Sequence, residues 1–166
     1  MHKKLLLLSI SVAVAAGIAL STEAAALLDG PLTNGDERFL LQNDAVAVAG
    51  GVEVDTTKDN VEWHEFIVSV PANLVLEAGK SYKISYDYVI KNVKDGKTKF
   101  YHLLRTGGDA KKDKGLEFWS DAAGAKGHKE FTALLKDADY RLILGVQFGG
   151  AIRIEKLRIE VVENGK

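Results

Sequence analysis

The sequence predicts an all-β protein, a β-sandwich of two antiparallel sheets. Short apolar segments that alternate with polar residues recur along residues 27–166, and clusters of Gly, Pro, Asn and Asp separate them. Regular turn signals between short strands are typical of sandwiches. No long amphipathic helix and no repeat of fixed period interrupts this pattern. The length of 166 residues suits one domain with a substantial core.

The N-terminus has the pattern of a secretory signal peptide. A basic start, residues 2–4, precedes an apolar run from Leu5 to Leu20 and the small residues Ala24 to Ala26. An A-x-A pattern predicts cleavage after Ala26, and the apolar run is short for a membrane span. We therefore expect residues 1–26 to be a signal peptide, residues 27–166 to form a single domain, and the protein to be secreted, periplasmic or extracellular. The alternative is an uncleaved anchor; after cleavage no membrane partner is expected.

The stretch from Leu74 to Ile90 gives the clearest strand signal. We predict the end of one strand, a tight turn at residues 78–80, and a long second strand. In that second strand every other residue is apolar or aromatic, which indicates one buried face and one exposed face. The buried face holds Tyr82, Ile84, Tyr86, Tyr88 and Ile90, and the other face holds Lys83, Ser85 and Asp87.

The remaining strands follow from the same alternation. Asp95-Gly96 is a hairpin signal after the long strand, and a change of phase at Glu155-Lys156 predicts a β-bulge in the last strand. The predicted strands are Phe39–Leu41, Ala45–Ala49, a short one from Val52, Val61–Val70, Phe100–Arg105, Leu116–Trp119, Lys129–Leu134, Arg141–Phe148 and Ala151–Glu163. Their shared faces place Ile84, Tyr86, Phe66, Val68, Leu142 and Leu144 between the two sheets, with Tyr82 and Phe148 also in the core.

Three segments resemble jelly-roll carbohydrate-binding modules of the galactose-binding-like superfamily. The run LEAGKSYKISYDY is similar to their central strand, NGDER is similar to their opening segment, and LGVQFGGAIRIEKLRIEVVE is similar to their closing segment. The segments occur in the family's order over nearly the whole of residues 27–166. The opening departs from the family, because Glu37 replaces an aromatic residue and Arg38 an acid. The resemblance implies a jelly-roll β-sandwich that binds a polysaccharide or glycan without catalysis.

Composition and motifs exclude several other functions. A formal net charge of -1 gives no general attraction for nucleic acid. The chain has no cysteine, which excludes disulfides, thiolate metal sites and a cysteine nucleophile. No G-x-S-x-G, H-E-x-x-H or nucleotide-binding motif is present, and no pair of acids stands out among the many. We therefore expect no enzymatic activity.

The resemblance also implies a structural calcium site in related jelly rolls, formed by acids of the opening segment and the last strand. Calcium requires several oxygen ligands, commonly carboxylates and carbonyls. The candidates in this sequence are Asp36, Glu37 and Glu155, but Lys156 next to Glu155 repels a cation. We therefore expect no cofactor, with calcium as the alternative.

A sugar-binding surface needs exposed aromatic rings beside polar side chains, because sugar rings have apolar C–H faces and hydroxyl rims. The candidates on strand faces away from the core are Trp63, Tyr101, Arg105, Asp87 and Gln147, with Trp119 as a second aromatic platform near a loop. We predict a groove lined chiefly by the first three. The alternative function is a structural or adhesive subunit of an extracellular assembly, in which these residues contact another copy or another protein. A tryptophan in a sandwich is also often part of the core.

Overall fold

A computed structural model describes residues 26–59 and 62–162. Its strands are β1 (Ala26–Asp29), β2 (Phe39–Leu41), β3 (Val46–Val48), β4 (Gly51–Asp55), β5 (Trp63–Ser69), β6 (Ser81–Val93), β7 (Lys99–Arg105), β8 (Lys114–Trp119), β9 (Lys126–Leu134), β10 (Arg141–Gln147) and β11 (Gly150–Val162), with a short 3-10 helix at Ala110–Lys112. The predicted signal peptide lies outside the described residues except for Ala26. Within the described ranges, no helix is long and apolar enough to cross a membrane.

The strands form two antiparallel sheets that pack face to face. One sheet has the order β2-β5-β10-β7-β8, and we call it the aromatic sheet. The other has the order β3-β4-β11-β6-β9, with β1 added alongside β11, and we call it the charged sheet. Both names refer to the residues on the outer faces. The predicted two-sheet sandwich is confirmed.

The core lies between the two sheets and follows the predicted alternation of β6. Tyr82, Ile84, Tyr86 and Ile90 are fully buried, and Tyr88 is nearly so. Phe66, Leu142 and Leu144 lie in the same cluster, as predicted. The long central strand is therefore buried on one face along most of its length, which explains why its period-two pattern is the clearest in the sequence.

A β-bulge in β5 changes which of its residues face the core. Successive residues of β10 pair with Ile67 and then with Glu65, so Phe66 is an extra residue in the ladder. Phe66 and Ile67 both enter the core between the sheets. Val68 is buried instead in a separate cluster with Tyr101, Leu103 and Ile143. The prediction that Val68 shares the face of Phe66 is wrong, because the bulge reverses the alternation.

The structure also corrects one prediction about the core and one about a turn. Phe148 has a left-handed backbone, with φ 65, and its side chain is 37% exposed, so it is not a core residue. Asp95 and Gly96 have φ values of 51 and 65, which suits a tight turn. However, this turn joins β6 of the charged sheet to β7 of the aromatic sheet, so the predicted hairpin is wrong.

The long strands β6 and β11 pair along most of their length, with one predicted irregularity. The register shifts between Glu155 and Arg158, and Lys156 has φ 50, so the predicted bulge in β11 is confirmed. The segment before the turn at residues 78–80 is not a strand, although Leu74 and Leu76 are buried there. Their burial explains why this segment has the apolar pattern of a strand.

Candidate functional site

The outer face of the aromatic sheet carries a groove with a volume of about 390 Å³. The strands β5, β7 and β8 supply most of its lining, and the loop between β7 and β8 supplies the rest. The lining residues are Trp63, Glu65, Tyr101, Leu103, Arg105, Ala110, Asp113, Leu116 and Phe118. We call this feature the aromatic groove. Its lining includes Trp63, Tyr101 and Arg105, the three residues that the sequence predicts as the chief lining of a groove.

Three aromatic rings form the base and one side of the groove. The ring centroids of Trp63, Tyr101 and Phe118 lie 5.6 Å apart in every pair. The Trp63 ring is inclined by 71° to Tyr101 and by 77° to Phe118, whereas Tyr101 and Phe118 differ by 32°. Edge-to-face contacts of this kind stabilise aromatic clusters. The three rings are therefore held in fixed relative orientations.

The exposure of these rings differs and separates their roles. Trp63 is 47% exposed and Phe118 is 38% exposed, but Tyr101 is only 3% exposed. Burial raises the pKa of the Tyr101 hydroxyl well above its usual value, so the ring stays neutral. Tyr101 therefore supports the other two rings, and a ligand would meet Trp63 and Phe118. Tyr101 lies on the predicted outer face, but it is not accessible to a ligand as predicted.

A glycine explains how the Tyr101 ring fits against the sheet. Gly145 of β10 pairs with Tyr101 of β7, and a Cβ atom added at Gly145 would collide with the tyrosine ring. The absence of a side chain at this position leaves space for the ring over the neighbouring strand. Gly145 is therefore part of the base of the groove, although it offers no group to a ligand.

Phe118 is the aromatic residue of the groove that was not predicted from the sequence, and the acids Glu65 and Asp113 were not predicted as site residues either. Phe118 pairs with Tyr101 across β7 and β8, so both rings lie on the outer face. The sequence predicts a strand at Leu116–Trp119, and its alternation places Leu116 and Phe118 on one face and Trp119 on the other. Trp119, which is predicted as a platform because it is a tryptophan near a loop, therefore lies on the opposite face from the groove.

A row of ion pairs crosses the groove beside the aromatic rings. The Arg105 guanidinium donates to Asp113, with Nε–Oδ1 3.1 Å and Nη2–Oδ2 3.0 Å, and its Nη1 lies 3.5 Å from Glu65 Oε1. The hydrogen bonds to Asp113 raise the pKa of Arg105 above its usual value. The Arg105 side chain is 26% exposed and that of Asp113 is 5% exposed. The row therefore offers fixed donors and acceptors with little freedom to rearrange.

Two of the other predicted site residues lie near the groove but do not line it. Gln147 is opposite Trp63 in the ladder and only 7% exposed, and its Nε2 donates to Glu62 Oε1 at 3.1 Å. Trp119 is on the inner face of β8, where its ring packs against Phe100 and has Lys129 Nζ 4.7 Å from its centroid. The prediction of Trp119 as an exposed platform does not match this placement, because Trp119 extends the core.

Asp87 lies on the outer face of the charged sheet, away from the aromatic groove. Its carboxylate is 2.8 Å from Lys156 Nζ and 2.8 Å from His128 Nδ1. The hydrogen bond from Lys156, followed by that from His128, lowers the pKa of Asp87. A cavity of about 530 Å³ adjoins this cluster, with lining residues of both charges. The ring of His128 is in this lining, but among the described lining residues there is no Trp, Tyr or Phe, so the aromatic groove offers a sugar ligand the better stacking surface.

The acids predicted as calcium candidates do not form one cluster. Among the described residues, no group of three His, Asp or Glu side chains is arranged to hold a metal ion. Both carboxylate oxygens of Asp36 accept from Arg38, at 3.0 and 2.8 Å, and Glu155 Oε1 lies 2.6 Å from Arg153 Nε. Glu37 contributes its backbone carbonyl to Asn73 Nδ2 at 2.7 Å. Two of the three candidate carboxylates therefore already have arginine partners.

Several solved structures share this fold. The CBM22-1–GH10 modules of Clostridium thermocellum xylanase Xyn10B, complexed with xylohexaose, match with a TM-score of 0.60 and 14% identity over 87% of this chain. The C-terminal family 22 carbohydrate-binding module of the same enzyme matches with a TM-score of 0.58 and 11% identity, over 87% of this chain and 99% of its own. The second N-terminal cellulose-binding domain of Cellulomonas fimi β-1,4-glucanase C matches with a TM-score of 0.53 and 14% identity, over 85% of this chain and 97% of its own.

These likenesses concern the fold. The chain has the β-sandwich fold of carbohydrate-binding modules, which confirms the resemblance seen in the sequence. It spans only 30% of the first matched structure, which contains two kinds of module. No protein-family model matches the chain, and no curated protein matches it.

Proposed function

We propose that the protein is a secreted, non-catalytic carbohydrate-binding protein that holds a polysaccharide in the aromatic groove. The observation that carries this proposal is the exposure of Trp63 and Phe118 on an outer sheet face, over a buried Tyr101. The core lies on the other side of this sheet and does not need these rings. Exposed aromatic patches bordered by polar groups are typical of binding sites.

The residues of the groove match the two kinds of surface on a sugar. The apolar C–H face of a pyranose ring can stack on Trp63 or Phe118, and its hydroxyl groups can reach the ion-pair row. There, the N–H groups of Arg105 that are not engaged donate, while the carboxylate of Glu65, whose side chain is 32% exposed, accepts. We expect weak affinity, roughly micromolar to millimolar, because a shallow groove buries little area and the hydroxyls must give up water.

The matched structures support this proposal and suggest which ligands to test first. One of them was solved with xylohexaose, and another is a cellulose-binding domain. Because fold likeness alone does not transfer a ligand, the side chains of the groove carry the argument. Soluble xylan and soluble β-1,4-glucan derivatives are therefore the first polysaccharides to test, followed by a broader glycan array.

Single substitutions of the exposed rings test the proposal. Trp63→Ala and Phe118→Ala should each weaken retention in affinity electrophoresis with the bound polysaccharide about tenfold or more, roughly 1.4 kcal/mol, through loss of stacking. Leu134→Ala is the matched control, because Leu134 is also 47% exposed but lies on β9 of the charged sheet. This control should bind as the unmodified protein does.

The rival function, a subunit of an extracellular assembly, predicts a different result. Leu40 and Leu116 are each 52% exposed on strands of the aromatic sheet, and aromatic and arginine residues are also frequent in protein interfaces. In that case Trp63→Ala would change the oligomer size in sedimentation velocity and leave glycan binding untouched. Loss of glycan binding at constant oligomer size supports the groove.

A further inference from the structure

The row of ion pairs spans the aromatic groove from one side to the other. Glu65 belongs to β5, Arg105 to β7, and Asp113 immediately precedes β8. With β10 between β5 and β7, the row extends over four neighbouring strand positions. The side chain of Asp113 is 5% exposed, so its carboxylate is packed under its surroundings. Through the Arg105 guanidinium, which contacts both acids, the row links β5 to the β7–β8 loop across the groove.

The loop behind this row is anchored at several points. Asp109 caps the short 3-10 helix by accepting from Lys111 N at 3.0 Å. At the start of the loop, Thr106 Oγ1 donates to the Ala138 carbonyl at 2.7 Å. Near its end, Tyr140 Oη donates to the Lys112 carbonyl at 3.4 Å. The last two bonds tie the β7–β8 loop to the segment that precedes β10, so the loop is a fixed wall.

The opposite end of the groove is built differently. Ala110 and Asp113 bring the loop into the lining at the Arg105 end, whereas the described lining at the aromatic end comes from strand residues alone. Trp63 and Phe118 stand exposed there. The groove is therefore walled at its charged end and accessible beside its aromatic rings.

We propose, on the basis of the function proposed above, that the aromatic groove recognises the end of a saccharide chain or side branch. The last sugar unit lies against the Glu65–Arg105–Asp113 row, and the unit before it stacks on Phe118 or Trp63. A terminal unit carries a free hydroxyl that both donates to a carboxylate and accepts from the guanidinium. An internal unit carries a glycosidic oxygen at that position, which has no proton to donate, and its next sugar would collide with the wall.

The length dependence of binding tests this proposal. Isothermal titration calorimetry of the purified protein with xylo- and cello-oligosaccharides, from disaccharide to hexasaccharide, and with the parent soluble polymers should show one pattern. Affinity per mole of chain should level off once the groove is filled, and the polymer should bind no more tightly per mole of chain than the longest oligosaccharide. Affinity per mole of chain that keeps rising with the number of internal units would overturn the proposal.

A second measurement identifies which end of the saccharide chain is recognised. Borohydride reduction opens the terminal ring at the reducing end and leaves the other end intact. Unchanged binding of the reduced oligosaccharide shows recognition of the non-reducing end, and loss of binding shows recognition of the reducing end. Absence of binding to these probes and to every glycan on an array would instead contradict the proposed function itself.

A variant of the wall provides an independent check. Asp113→Asn keeps the shape of the side chain but weakens the pairing with Arg105, so polymer binding per mole of chain should rise several-fold relative to the hexasaccharide. Lys112→Ala is the control, because Lys112 lies in the same loop, does not line the groove, and is 3.4 Å from Asp137. An Asp113→Asn protein that is folded and has unchanged length dependence would contradict the role of the wall.

Discussion

The two outer faces of the sandwich differ far more than its two inner faces. On β6 of the charged sheet, the outward residues are Lys83, Ser85 and Asp87, and ion pairs join Lys83 to Glu160 and Lys156 to Asp87. On β7 of the aromatic sheet, the outward residues are Tyr101, Leu103 and Arg105. The inner faces of both strands carry residues of the common core.

This difference shows which apolar residues the fold requires and which lie outside the common core. An antiparallel sheet in water normally has an apolar inner face and a polar outer face, and the charged sheet follows that rule. The aromatic sheet does not, because Val68, Tyr101, Leu103 and Ile143 form a second apolar cluster on its outer side. The core between the sheets does not need this cluster, so we interpret it as the support of the binding groove.

The largest expected effect is a loss of stability when an apolar residue on the outer face of the aromatic sheet is truncated. Ile143 is 0% exposed although its strand turns it away from the main core. Ile143→Ala should therefore lower the unfolding free energy by about 2–5 kcal/mol, as for Leu144→Ala on the inner face of the same strand. Urea unfolding followed by circular dichroism measures both changes.

The charged sheet supplies the control for this prediction. Lys83 lies on the outer face of β6 with its side chain 35% exposed, and its pair with the exposed Glu130 adds little to stability. Its nearer partner, Glu160, is only 10% exposed but keeps Arg158 as a second partner at 3.2 Å when Lys83 is replaced. Lys83→Ala should leave the unfolding curve close to that of the unmodified protein. Equal losses for Ile143→Ala and Lys83→Ala would show that the two faces are not different in kind.

The next expected effect is a loss of stability in acid, which arises in the core between the two sheets. His102, on the inner face of β7, is fully buried, and its Nδ1 lies within hydrogen-bond distance of the Tyr86 hydroxyl. Burial lowers its pKa to about 4, with Glu117 acting in the opposite direction and Lys129 in the same direction. The unfolded state therefore binds a proton near pH 6.5 that the folded state binds only near pH 4. Stability should fall as the pH drops through this range, by on the order of 3 kcal/mol.

A variant isolates this contribution from that of the surface carboxylates. His102→Asn keeps an acceptor for Tyr86 but does not titrate. The difference in unfolding free energy between pH 7 and pH 4 should be smaller in the variant than in the unmodified protein. An identical dependence on pH in the two proteins would assign the acid sensitivity to other groups.

Two glycines provide a matched test of where the groove lies. A Cβ atom at Gly145 would collide with the ring of Tyr101, and one at Gly127 would collide with that of Tyr88. Each Gly→Ala change should cost about 1–3 kcal/mol through overpacking. Only Gly145→Ala should also weaken glycan binding, because Tyr101 supports Trp63 and Phe118 whereas Tyr88 packs in the core. Equal binding by the two variants would separate Tyr101 from the site.

The sequence predicts the strands well because burial on one side imposes a period of two. The long alternation of β6 and the change of phase at Lys156 are both local patterns, and both are present in the structure. The glycine-containing turn at residues 95–96 also forms as its residues suggest. The sheet to which the next strand belongs is not a local property, so the predicted hairpin proved to be a crossing between sheets.

The sequence predicts the residues of the aromatic groove only where the alternation of a strand runs without interruption. Trp63, Tyr101 and Arg105 were placed together because β5 and β7 alternate regularly at those positions. Val68 was misplaced because a one-residue bulge reverses the faces of a strand. The burial of Tyr101 depends on three strands and a glycine, and the position of Asp113 depends on a loop. Neither can be derived from a single segment.

The smallest expected effect concerns calcium, for which we predict no change on chelation. Arg38 occupies both carboxylate oxygens of Asp36, and its hydrogen bonds lower the pKa of that carboxyl. Glu155 pairs with Arg153, and Lys156 follows it in the chain. A cation would have to displace two arginines, so the melting temperature in excess EDTA should equal that in calcium. A bound ion at a hundred times its dissociation constant would add about 2.7 kcal/mol and several degrees. A drop of that size on chelation, restored by calcium but not by magnesium, would show that a calcium site persists in this chain.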